Sequence, residues 1–288
     1  KQLGFPIIGW QKQSMIKKPD LLIETIKRII DPNRPFIIVD HGGYFGYTHE
    51  VFNHFPSDQL LGIAEYAANG EDRYQRLDIP NHPIISVGRS SLKASADAAS
   101  AQLLVYGIFN YMTALDRYLY DENNTIGLIG YGTLGKTIAQ TISKTGFQYL
   151  LINEIDALTT THYHGMRYAN KKELCTRCNI IICATGYHAL TPEDFNRLQD
   201  GTIIFTVTSP DDELALHDLM DNGILEFSKN DGDTYEYIVK TTGRRIYLPF
   251  NGESPTVTFA SGVTDTHIHL PIAGHLLATL TLIQDQNH

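Results

Sequence analysis

Apolar and polar positions along the chain predict strands and helices in alternation. The segment LLIETIKRII has apolar residues at helical spacing, and PFIIVD is a short continuous apolar run that ends at a glycine turn. From residue 125 onward, TIGLIG, QYLLINE, NIIICAT and GTIIFTV predict strands, and the intervening segments LGKTIAQTISKTG, 171–177 and TPEDFNRLQD predict helices. Strands that alternate with helices are typical of right-handed βαβ units around a parallel sheet. The pattern therefore predicts an α/β protein.

The segments around this regular region predict further elements. A long Ala-rich stretch from Ser95 to Leu119 predicts a helix that precedes the first regular strand. After Asp211, DDELALHDLMDNG predicts one helix and TYEYIVKTTGRRIYLPF predicts a hairpin with its turn near Gly243. The last apolar segment, PIAGHLLATLTLI, predicts a helix that returns to the first part of the chain.

A glycine-rich turn lies between the strand TIGLIG and the helix that follows it. Gly130, Gly132 and Gly135 have the G-x-G-x-x-G spacing, in which the first glycine allows a tight turn, the second a close pyrophosphate and the third close helix packing. Glu154 ends the next strand, where an acid binds the ribose hydroxyls and repels a 2′-phosphate. The pattern predicts an NAD site. The alternatives are a glycine turn that binds S-adenosylmethionine or that binds no ligand.

Length and motif together predict two domains. A chain of 288 residues accommodates two domains of moderate size. We expect residues 105–262 to form a Rossmann-type, doubly wound parallel sheet, and residues 1–104 with 263–288 to form a smaller α/β catalytic domain.

The net charge and the hydropathy of the chain limit the classes of molecule that we expect it to bind. The chain has 23 Lys and Arg against 32 Asp and Glu, a net charge of −9, with no basic run that would bind nucleic acid or anionic lipid. No stretch approaches eighteen consecutive apolar residues, and the opening segment KQLGFPIIGWQKQ is unlike a signal peptide. We expect a small-molecule substrate, no nucleic acid, no membrane and a cytoplasmic location.

Three cysteines, Cys175, Cys178 and Cys183, lie close together in the sequence. They are too few for a disulfide framework, which favours a reducing compartment. Cys175 and Cys178 have the spacing of a redox pair or half of a zinc site, but no second cysteine pair completes a tetrahedral set. The favoured interpretation is that they are buried structural residues.

Two His-x-His pairs form a second pattern that could ligate a metal ion. They are His162 with His164, and His267 with His269. No third ligand stands at a recognisable distance, so we predict no metal and expect exposed or hydrogen-bonding imidazoles. A second interpretation gives one of His267 and His269 a role in proton transfer.

Several blocks of the sequence resemble S-adenosylhomocysteine hydrolases. The stretch GLIGYGTLGKTIAQTISKTGFQYLLINEID is similar to the cofactor motif of that family. Further similar blocks, in the same order, are 40–43, 62–70, 90–97, 184–186, 210–213 and 243–246, so that the resemblance spans about residues 35–283.

The resemblance implies a chemistry and a set of site residues. In that family a tightly held NAD oxidises the ribose 3′-hydroxyl, the thiol leaves, water adds and the ketone is reduced again. Lys93 and Asp97 fall on the positions that handle the hydroxyl and its proton, and His41 and Glu65 fall on further catalytic positions. An ordinary i,i+4 surface ion pair is the alternative for Lys93 and Asp97. The cofactor positions are Gly130, Tyr131, Gly132, Thr133, Leu134, Gly135, Glu154, Ile155, Ala184, Thr185 and Gly186.

The chain also departs from the family pattern. His41 and Tyr66 stand where the family has acids, Ala98 replaces an Asn, and Ser209 and Val263 each replace a histidine. Residues 67–69 replace threonines that touch the cofactor, and Tyr187 replaces an Asn. Most of the N-terminal substrate segment and the C-terminal tail of the family have no counterpart, so we expect a divergent, N-terminally shortened member.

These observations give three functional hypotheses. The leading one is an NAD-dependent oxidoreductase-type reaction on a hydroxyl of a small, nucleoside-like substrate. The second is true hydrolysis of S-adenosylhomocysteine or another thioether with transient oxidation by NAD. The third is a catalytically silent relative that binds NAD(H) and regulates a partner. The apolar residues of 95–119 and of the last helix fit a homodimer or the core of one chain.

Overall fold

The computed structural model describes residues 18–79, 81–115, 123–145, 149–154, 166–256 and 265–284. The chain divides into two compact units, residues 1–94 with 265–288 and residues 95–264. The first boundary lies earlier than the predicted one after residue 104, because the long helix belongs almost entirely to the second unit. The roles assigned to the two domains stay predictions.

Helices and strands alternate through both units. The helices are α1 (Pro19–Ile29), α2 (Glu50–His54), α3 (Ala68–Leu77), α4 (Ala94–Ala114), α5 (Thr133–Lys144), α6 (Lys171–Arg177), α7 (Pro192–Phe195), α8 (Pro210–Leu214), α9 (Leu216–Asp221) and α10 (Asp265–Gln284). The strands are β1 (Phe36–Asp40), β2 (Leu60–Glu65), β3 (Ile84–Ser86), β4 (Ile126–Ile129), β5 (Leu150–Asn153), β6 (Met166–Tyr168), β7 (Ile180–Cys183), β8 (Thr202–Thr206), β9 (Leu225–Asp231), β10 (Thr234–Val239) and β11 (Arg244–Pro249). Short 3-10 turns cover Ser91–Lys93 and Phe250–Gly252.

The first unit is a three-stranded parallel sheet, in the order β1-β2-β3, with helices on both faces. Every residue of the central strand β2 is buried, as expected of a strand that is covered on two sides. One core joins the sheet to α1, α2 and α3, and a smaller cluster on the opposite face joins Ala64 of β2 to Ala278 and Leu282 of α10. The last helix therefore returns to the first part of the chain, as predicted.

The second unit is an eight-stranded sheet in the order β6-β5-β4-β7-β8-β11-β10-β9. The first six of these strands are parallel, and β11, β10 and β9 form an antiparallel meander at the far edge. One core packs α4 and α5 on one face, and a second core packs α6 to α9 on the other. The strand order reverses between β4 and β7, which is the arrangement of a doubly wound nucleotide-binding sheet. The predicted Rossmann-type fold is confirmed.

The elements α8, α9 and β9 differ from the prediction. The single helix expected over residues 211–223 is wrong: α8 and α9 are separated by Ala215, whose φ is +52°. The carbonyls of Asp212 and Glu213 accept hydrogen bonds from the backbone N–H groups of His188 and Ala189 instead of continuing a helix. The strand β9 was missed because one of its residues is buried and the rest are exposed.

The cysteines lie inside the second unit. Cys175, Cys178 and Cys183 are free thiols without exposed surface, as the favoured interpretation predicted. Burial raises the pKa of Cys175 and of Cys178 to about 12 and the pKa of Cys183 well above its usual value. Within the described residues no helix is long and apolar enough to cross a membrane.

Candidate functional site

The glycine turn lies between β4 and α5, at the switch point of the second unit's sheet. Gly130 has a φ of +97°, and a Cβ added there would lie 2.6 Å from the Ala184 carbonyl oxygen. A Cβ on Gly135 would overlap the Gly130 carbonyl oxygen. Both glycines are thus required by the backbone geometry and the packing of the chain itself.

Gly132 is different, because nothing in the chain requires a glycine there. It is exposed, its φ of −68° suits any residue, and a Cβ added to it would meet no atom within 4 Å. It forms the N-cap of α5, whose first backbone N–H groups and helix dipole favour a negative charge. The open space at Gly132 fits a cofactor phosphate that approaches the backbone closely.

Glu154 lies beside this turn at the end of β5. Its Oε2 accepts a hydrogen bond of 2.6 Å from the backbone N–H of Tyr131. The Tyr131 side chain is buried in the core of the second unit, and this packing fixes the turn. The carboxylate predicted to bind ribose hydroxyls is therefore at the predicted edge of the sheet. Ile155, the neighbouring predicted cofactor residue, lies outside the described residues.

A second turn, Ala184–Gly186, follows β7 and is held by Glu213. The Glu213 side chain has no exposed surface; its Oε2 accepts hydrogen bonds from Thr185 N at 3.1 Å and Thr185 Oγ1 at 2.8 Å, and its Oε1 accepts one from Gly186 N at 2.9 Å. Burial raises the pKa of Glu213, although these hydrogen bonds oppose the shift. The sequence offered Glu213 only as part of a similar block. A carboxylate with this many backbone donors positions the turn.

In the first unit, Glu65 supports the turn after β1. Its Oε1 accepts hydrogen bonds from Gly42 N at 2.9 Å and Ala67 N at 2.6 Å, and its Oε2 accepts one from Gly43 N at 3.0 Å. The side chain is fully buried, and a Cβ on Gly70 would overlap its carboxyl group. Burial first, and the nearby Asp40 second, raise the pKa of Glu65. This geometry makes Glu65 a positioning residue, and its direct catalytic role stays a prediction.

Asp40 holds the same turn from the other side. Its carboxylate accepts hydrogen bonds from the backbone N–H of His41 at 2.8 Å and from the Tyr74 hydroxyl. Burial raises the pKa of Asp40, and the hydrogen bond from Tyr74 opposes that shift. The buried Arg73 donates to the Gly42 carbonyl. The sequence placed Asp40 only in the similar block 40–43, and it did not single out Tyr74 or Arg73, which belong to no recognisable motif.

Three basic side chains lie around the ring of Tyr66. They are those of His41, Lys93 and His275. The ring centroids of His41 and His275 lie 4.6 and 5.5 Å from that of Tyr66, and Lys93 Nζ lies 5.0 Å from it. Partial desolvation of the His41 ring, followed by the charges of Lys93 and His275, lowers the pKa of His41. A lowered pKa favours the neutral imidazole, which accepts protons at neutral pH.

His275 is the member of this group that the sequence did not reveal. Its Nε2 lies 2.9 Å from the Ala64 carbonyl oxygen at the end of β2. The preceding Gly274 packs closely on Leu92, since a Cβ there would lie 2.9 Å from Leu92 Cδ1. The only signal for His275 was its place in the returning helix, one helical turn or more beyond the His-x-His pair.

The other predicted positions are described one by one. Asp97 is half-buried in the first turn of α4 and belongs to the second unit. Ser209, at a position where the family has histidine, caps α8 by accepting a hydrogen bond from Asp212 N. His267 is half-buried and His269 exposed on α10, while His162, His164 and Val263 lie outside the described residues. Among the described residues no three His, Cys, Asp or Glu side chains are grouped as a metal site.

Comparison with known proteins agrees with the nucleotide-binding geometry. Residues 116–254 match the family model described as S-adenosyl-L-homocysteine hydrolase, NAD binding domain. The second unit is an NAD-binding domain. The predicted cofactor, NAD, and the Rossmann-type fold are thereby confirmed, whereas membership of the whole chain in the hydrolase family is not.

Individual relatives are distant and longer than this chain. Glyoxylate reductase 1 of Saccharomyces cerevisiae is 25% identical over 125 residues, which cover 41% of this chain and 36% of that protein. Adenosylhomocysteinase of Haloquadratum walsbyi is 23% identical over 213 residues, which cover 69% of this chain and 47% of that protein. A crystal structure of phosphoglycerate oxidoreductase from Vibrio cholerae aligns with a TM-score of 0.47 and 14% identity over 93% of this chain and 87% of that one. The chain spans less than half of the length of either curated relative.

Proposed function

We propose that this protein is an NAD-dependent enzyme of the oxidoreductase type that acts on a hydroxyl group of a small substrate. The observation that carries the proposal is the open Gly132 beside Glu154, where the chain leaves room for a pyrophosphate and supplies a carboxylate for a ribose. The matched NAD-binding family model supports it.

The second unit would hold the cofactor. Gly130, Gly132 and the start of α5 would bind the pyrophosphate through backbone N–H groups, and Glu154 would bind the ribose hydroxyls. The turn at 184–186, which Glu213 keeps in place, borders the same edge of the sheet. When bound, NAD would supply a hydride acceptor.

The first unit would supply the proton chemistry. Oxidation of a hydroxyl releases a proton, and a base must accept it as the hydride leaves. His41 is exposed and its lowered pKa favours the neutral form. Lys93 lies on the same aromatic ring as His41 and would hold the hydroxyl oxygen, with Asp97 four residues further along the chain.

Two other functions remain as alternatives. The resemblance to S-adenosylhomocysteine hydrolases supports hydrolysis of a thioether with transient oxidation by NAD, but histidine and tyrosine at positions 41 and 66 replace acids of that family. A silent NAD(H)-binding regulator is supported by the same departures and opposed by the retained Lys93. The expected cytoplasmic location also stays a prediction.

The first experiment is to denature the purified chain, measure released NAD(H), and titrate NAD and NADP into the cofactor-free protein. We expect NAD to bind much more tightly than NADP. Nucleosides and 2-hydroxy acids are then screened by absorbance at 340 nm, with and without net NADH formation. Failure of both dinucleotides to bind would overturn the proposal.

Lys93→Met then tests the role of the first unit. We expect turnover to fall by a factor of about 100 or more, because the hydroxyl loses a positioned cation, while NAD affinity stays within about threefold. Lys172→Met, on the exposed side of α6, is the matched control and should change neither quantity. Equal turnover in the Lys93 variant and the control would remove Lys93 from the mechanism.

A further inference from the structure

We propose that the stacked rings of Tyr187 and His188 form a flat surface on which one aromatic ring of the dinucleotide, adenine or nicotinamide, is bound. The inference rests on the part of the proposed function that assigns NAD to the second unit, and it does not depend on the hydroxyl chemistry proposed for the first unit. It gives a role in cofactor binding to Tyr187, which stands where the resembled hydrolase family has an Asn.

The two rings lie almost parallel and are accessible. Their centroids are 4.3 Å apart and their planes differ by 7°. Tyr187 is 49% exposed, and His188 is also exposed. Two stacked rings present a wider flat surface than one ring, and flat heterocycles such as nucleobases stack on aromatic surfaces of this kind.

The backbone that carries these rings has a conformation that residues other than glycine rarely adopt. His188 has a φ of +38°. Its backbone N–H donates a hydrogen bond of 2.6 Å to the Asp212 carbonyl, and the backbone N–H of Ala189 donates one to the Glu213 carbonyl. Left-handed residues other than glycine persist where the surrounding structure fixes them, and they cluster at ligand-binding sites. The turn therefore presents both rings on a fixed backbone.

Hydrogen bonds and packing join Tyr187 to the glycine turn. The backbone N–H of Tyr187 donates a hydrogen bond of 3.1 Å to Thr185 Oγ1. The backbone nitrogen of Thr185 would in turn lie only 3.0 Å from a Cβ added to Gly130. Tyr187 is thus one hydrogen bond away from a residue that packs against the first glycine of the nucleotide-binding turn.

The position in the sheet agrees with a cofactor contact. The turn that carries Tyr187 and His188 follows the carboxyl end of β7, which pairs with β4 at the switch point of the sheet. In doubly wound sheets, ligands bind in the crevice outside the carboxyl ends of the strands at this point. NAD extends in both directions from its pyrophosphate, so a dinucleotide bound at Gly132 would lie along the edge that Tyr187 occupies.

The alternative is that the two rings only brace their own turn. Glu213 already fixes that turn, because its carboxylate accepts hydrogen bonds from Thr185 N, Thr185 Oγ1 and Gly186 N. The backbone bonds of His188 and Ala189 fix it further. Bracing by the rings would affect stability first, whereas a cofactor contact would affect NAD affinity first.

The test is calorimetric titration of the full chain with NAD and with ADP-ribose, which lacks the nicotinamide ring. Tyr187→Ala should weaken NAD binding by about tenfold or more, because stacking on the ring is lost, and Tyr187→Phe should stay within about threefold of the wild type. If ADP-ribose is weakened as much as NAD, the bound ring is adenine, and if it is not weakened, the ring is nicotinamide. Equal NAD affinity for the wild type and Tyr187→Ala would overturn the inference.

His188→Asn removes the second ring while it keeps the turn. Asn adopts the left-handed conformation readily, so the backbone should be unchanged. We expect NAD affinity to fall by about threefold, as for the loss of one aromatic pair. The midpoint of thermal unfolding should stay within about 2 °C of the wild type. A lower midpoint with unchanged NAD affinity would show that the rings only brace the turn, and the inference would be wrong.

A tryptophan at position 187 gives a spectroscopic readout of the contact. A heterocycle that stacks on an indole quenches its fluorescence, so Tyr187→Trp should lose emission when NAD binds. Tyr149→Trp is the matched control, because Tyr149 is 54% exposed and precedes β5, at the opposite edge of the same sheet. Trp10, the one tryptophan of the sequence, gives the same background in both variants. Equal quenching in the two variants would contradict a contact at Tyr187.

Failure of this inference can be distinguished from failure of the proposed function. NAD binding that is weakened in Tyr187→Ala, in a chain that turns over no substrate, would count against the proposed reaction and leave the ring contact standing. NAD binding and turnover that are both unchanged in Tyr187→Ala would remove the ring contact and leave the proposed reaction standing.

Discussion

The backbone N–H of Tyr131 donates a hydrogen bond of 2.6 Å to Oε2 of Glu154. The bond joins the turn after β4 to the end of β5, two neighbouring parallel strands. Because Tyr131 is buried in the core, the carboxylate is held to a fixed part of the molecule. One contact therefore positions both the acid that we propose to select the ribose and the backbone that we propose to receive the pyrophosphate.

Glu154→Gln should lower NAD affinity and weaken the preference over NADP. The amide oxygen can still accept the Tyr131 N–H, but the charge that favours ribose hydroxyls and repels a 2′-phosphate is lost. We expect NAD affinity to fall by about tenfold or more, as for a charged hydrogen bond. Fluorescence titration with both dinucleotides measures this, and Glu193→Gln, an exposed acid of the same unit, is the control. An unchanged NAD to NADP ratio would contradict the role of Glu154.

Gly132→Ala and Gly135→Ala should separate cofactor binding from folding. Gly132→Ala meets no atom within 4 Å and should change the free energy of unfolding by less than about 1 kcal/mol while it lowers NAD affinity. Gly135→Ala places a methyl group against the Gly130 carbonyl and should cost about 3 kcal/mol or more. Thermal unfolding and NAD titration of both variants give the comparison. Tight NAD binding by Gly132→Ala would show that the open space has another purpose.

Glu213→Gln should change how stability depends on pH. The pKa of Glu213 is raised in the folded chain, so its contribution to stability is fully present below its unfolded pKa and is lost as pH rises through the folded pKa. Glutamine does not titrate. The stability of the variant relative to the wild type should therefore improve as pH increases from 4 to 8, as measured by urea unfolding followed by circular dichroism.

Asp200→Asn is the contrasting control for the pH dependence of the stability of Glu213→Gln. The side-chain hydrogen bond from Arg245 lowers the pKa of Asp200 to about 2, so its contribution is present above its unfolded pKa and lost only as pH falls towards 2. The difference between Asp200→Asn and the wild type should stay constant between pH 5 and 8. If the free energy of unfolding varied with pH in the same way for the wild type and for Glu213→Gln, this would be inconsistent with a raised pKa for Glu213.

The predicted homodimer can be tested on α10. Leu276 and Leu277 are 58% and 62% exposed, and Leu270, Ile272, Leu280 and Ile283 are also exposed on this helix. Several large apolar side chains exposed along one helix favour an interface there. We expect light scattering to give the mass of a dimer for the wild type and of a monomer for Leu277→Glu, with unchanged circular dichroism. A monomeric wild type would make the prediction wrong.

Local patterns were sufficient to predict the glycine turn of the second unit and the elements on either side of it. The strand β4, the glycine turn and α5 follow one another in sequence, so periodicity and glycine spacing reveal them together. The acid Glu154 ends the next strand, at a spacing set by the βαβ unit. The prediction of one helix over residues 211–223 was wrong, because the break in that helix depends on backbone hydrogen bonds to residues 188 and 189. No local sequence pattern shows such bonds.

The first unit was harder to predict because its site is assembled from distant residues. His275 lies more than 200 positions from Tyr66 in the sequence, and only the packing of α10 on β2 brings the two rings together. Glu65 was chosen as catalytic from the resemblance, but a sequence does not reveal that three backbone N–H groups surround a carboxylate. Side-chain chemistry is visible in a sequence, and its hydrogen-bond partners are not.

The three buried thiols of the second unit also provide an intrinsic reporter for labelling experiments. A thiol alkylates as the thiolate, and burial together with the raised pKa keeps Cys175, Cys178 and Cys183 protonated and enclosed. Iodoacetamide should therefore react only when the core around β7 and α6 opens. The rate of modification, followed by mass spectrometry, would measure the opening of the NAD-binding domain, and a single cysteine added at the surface would take a fluorophore selectively.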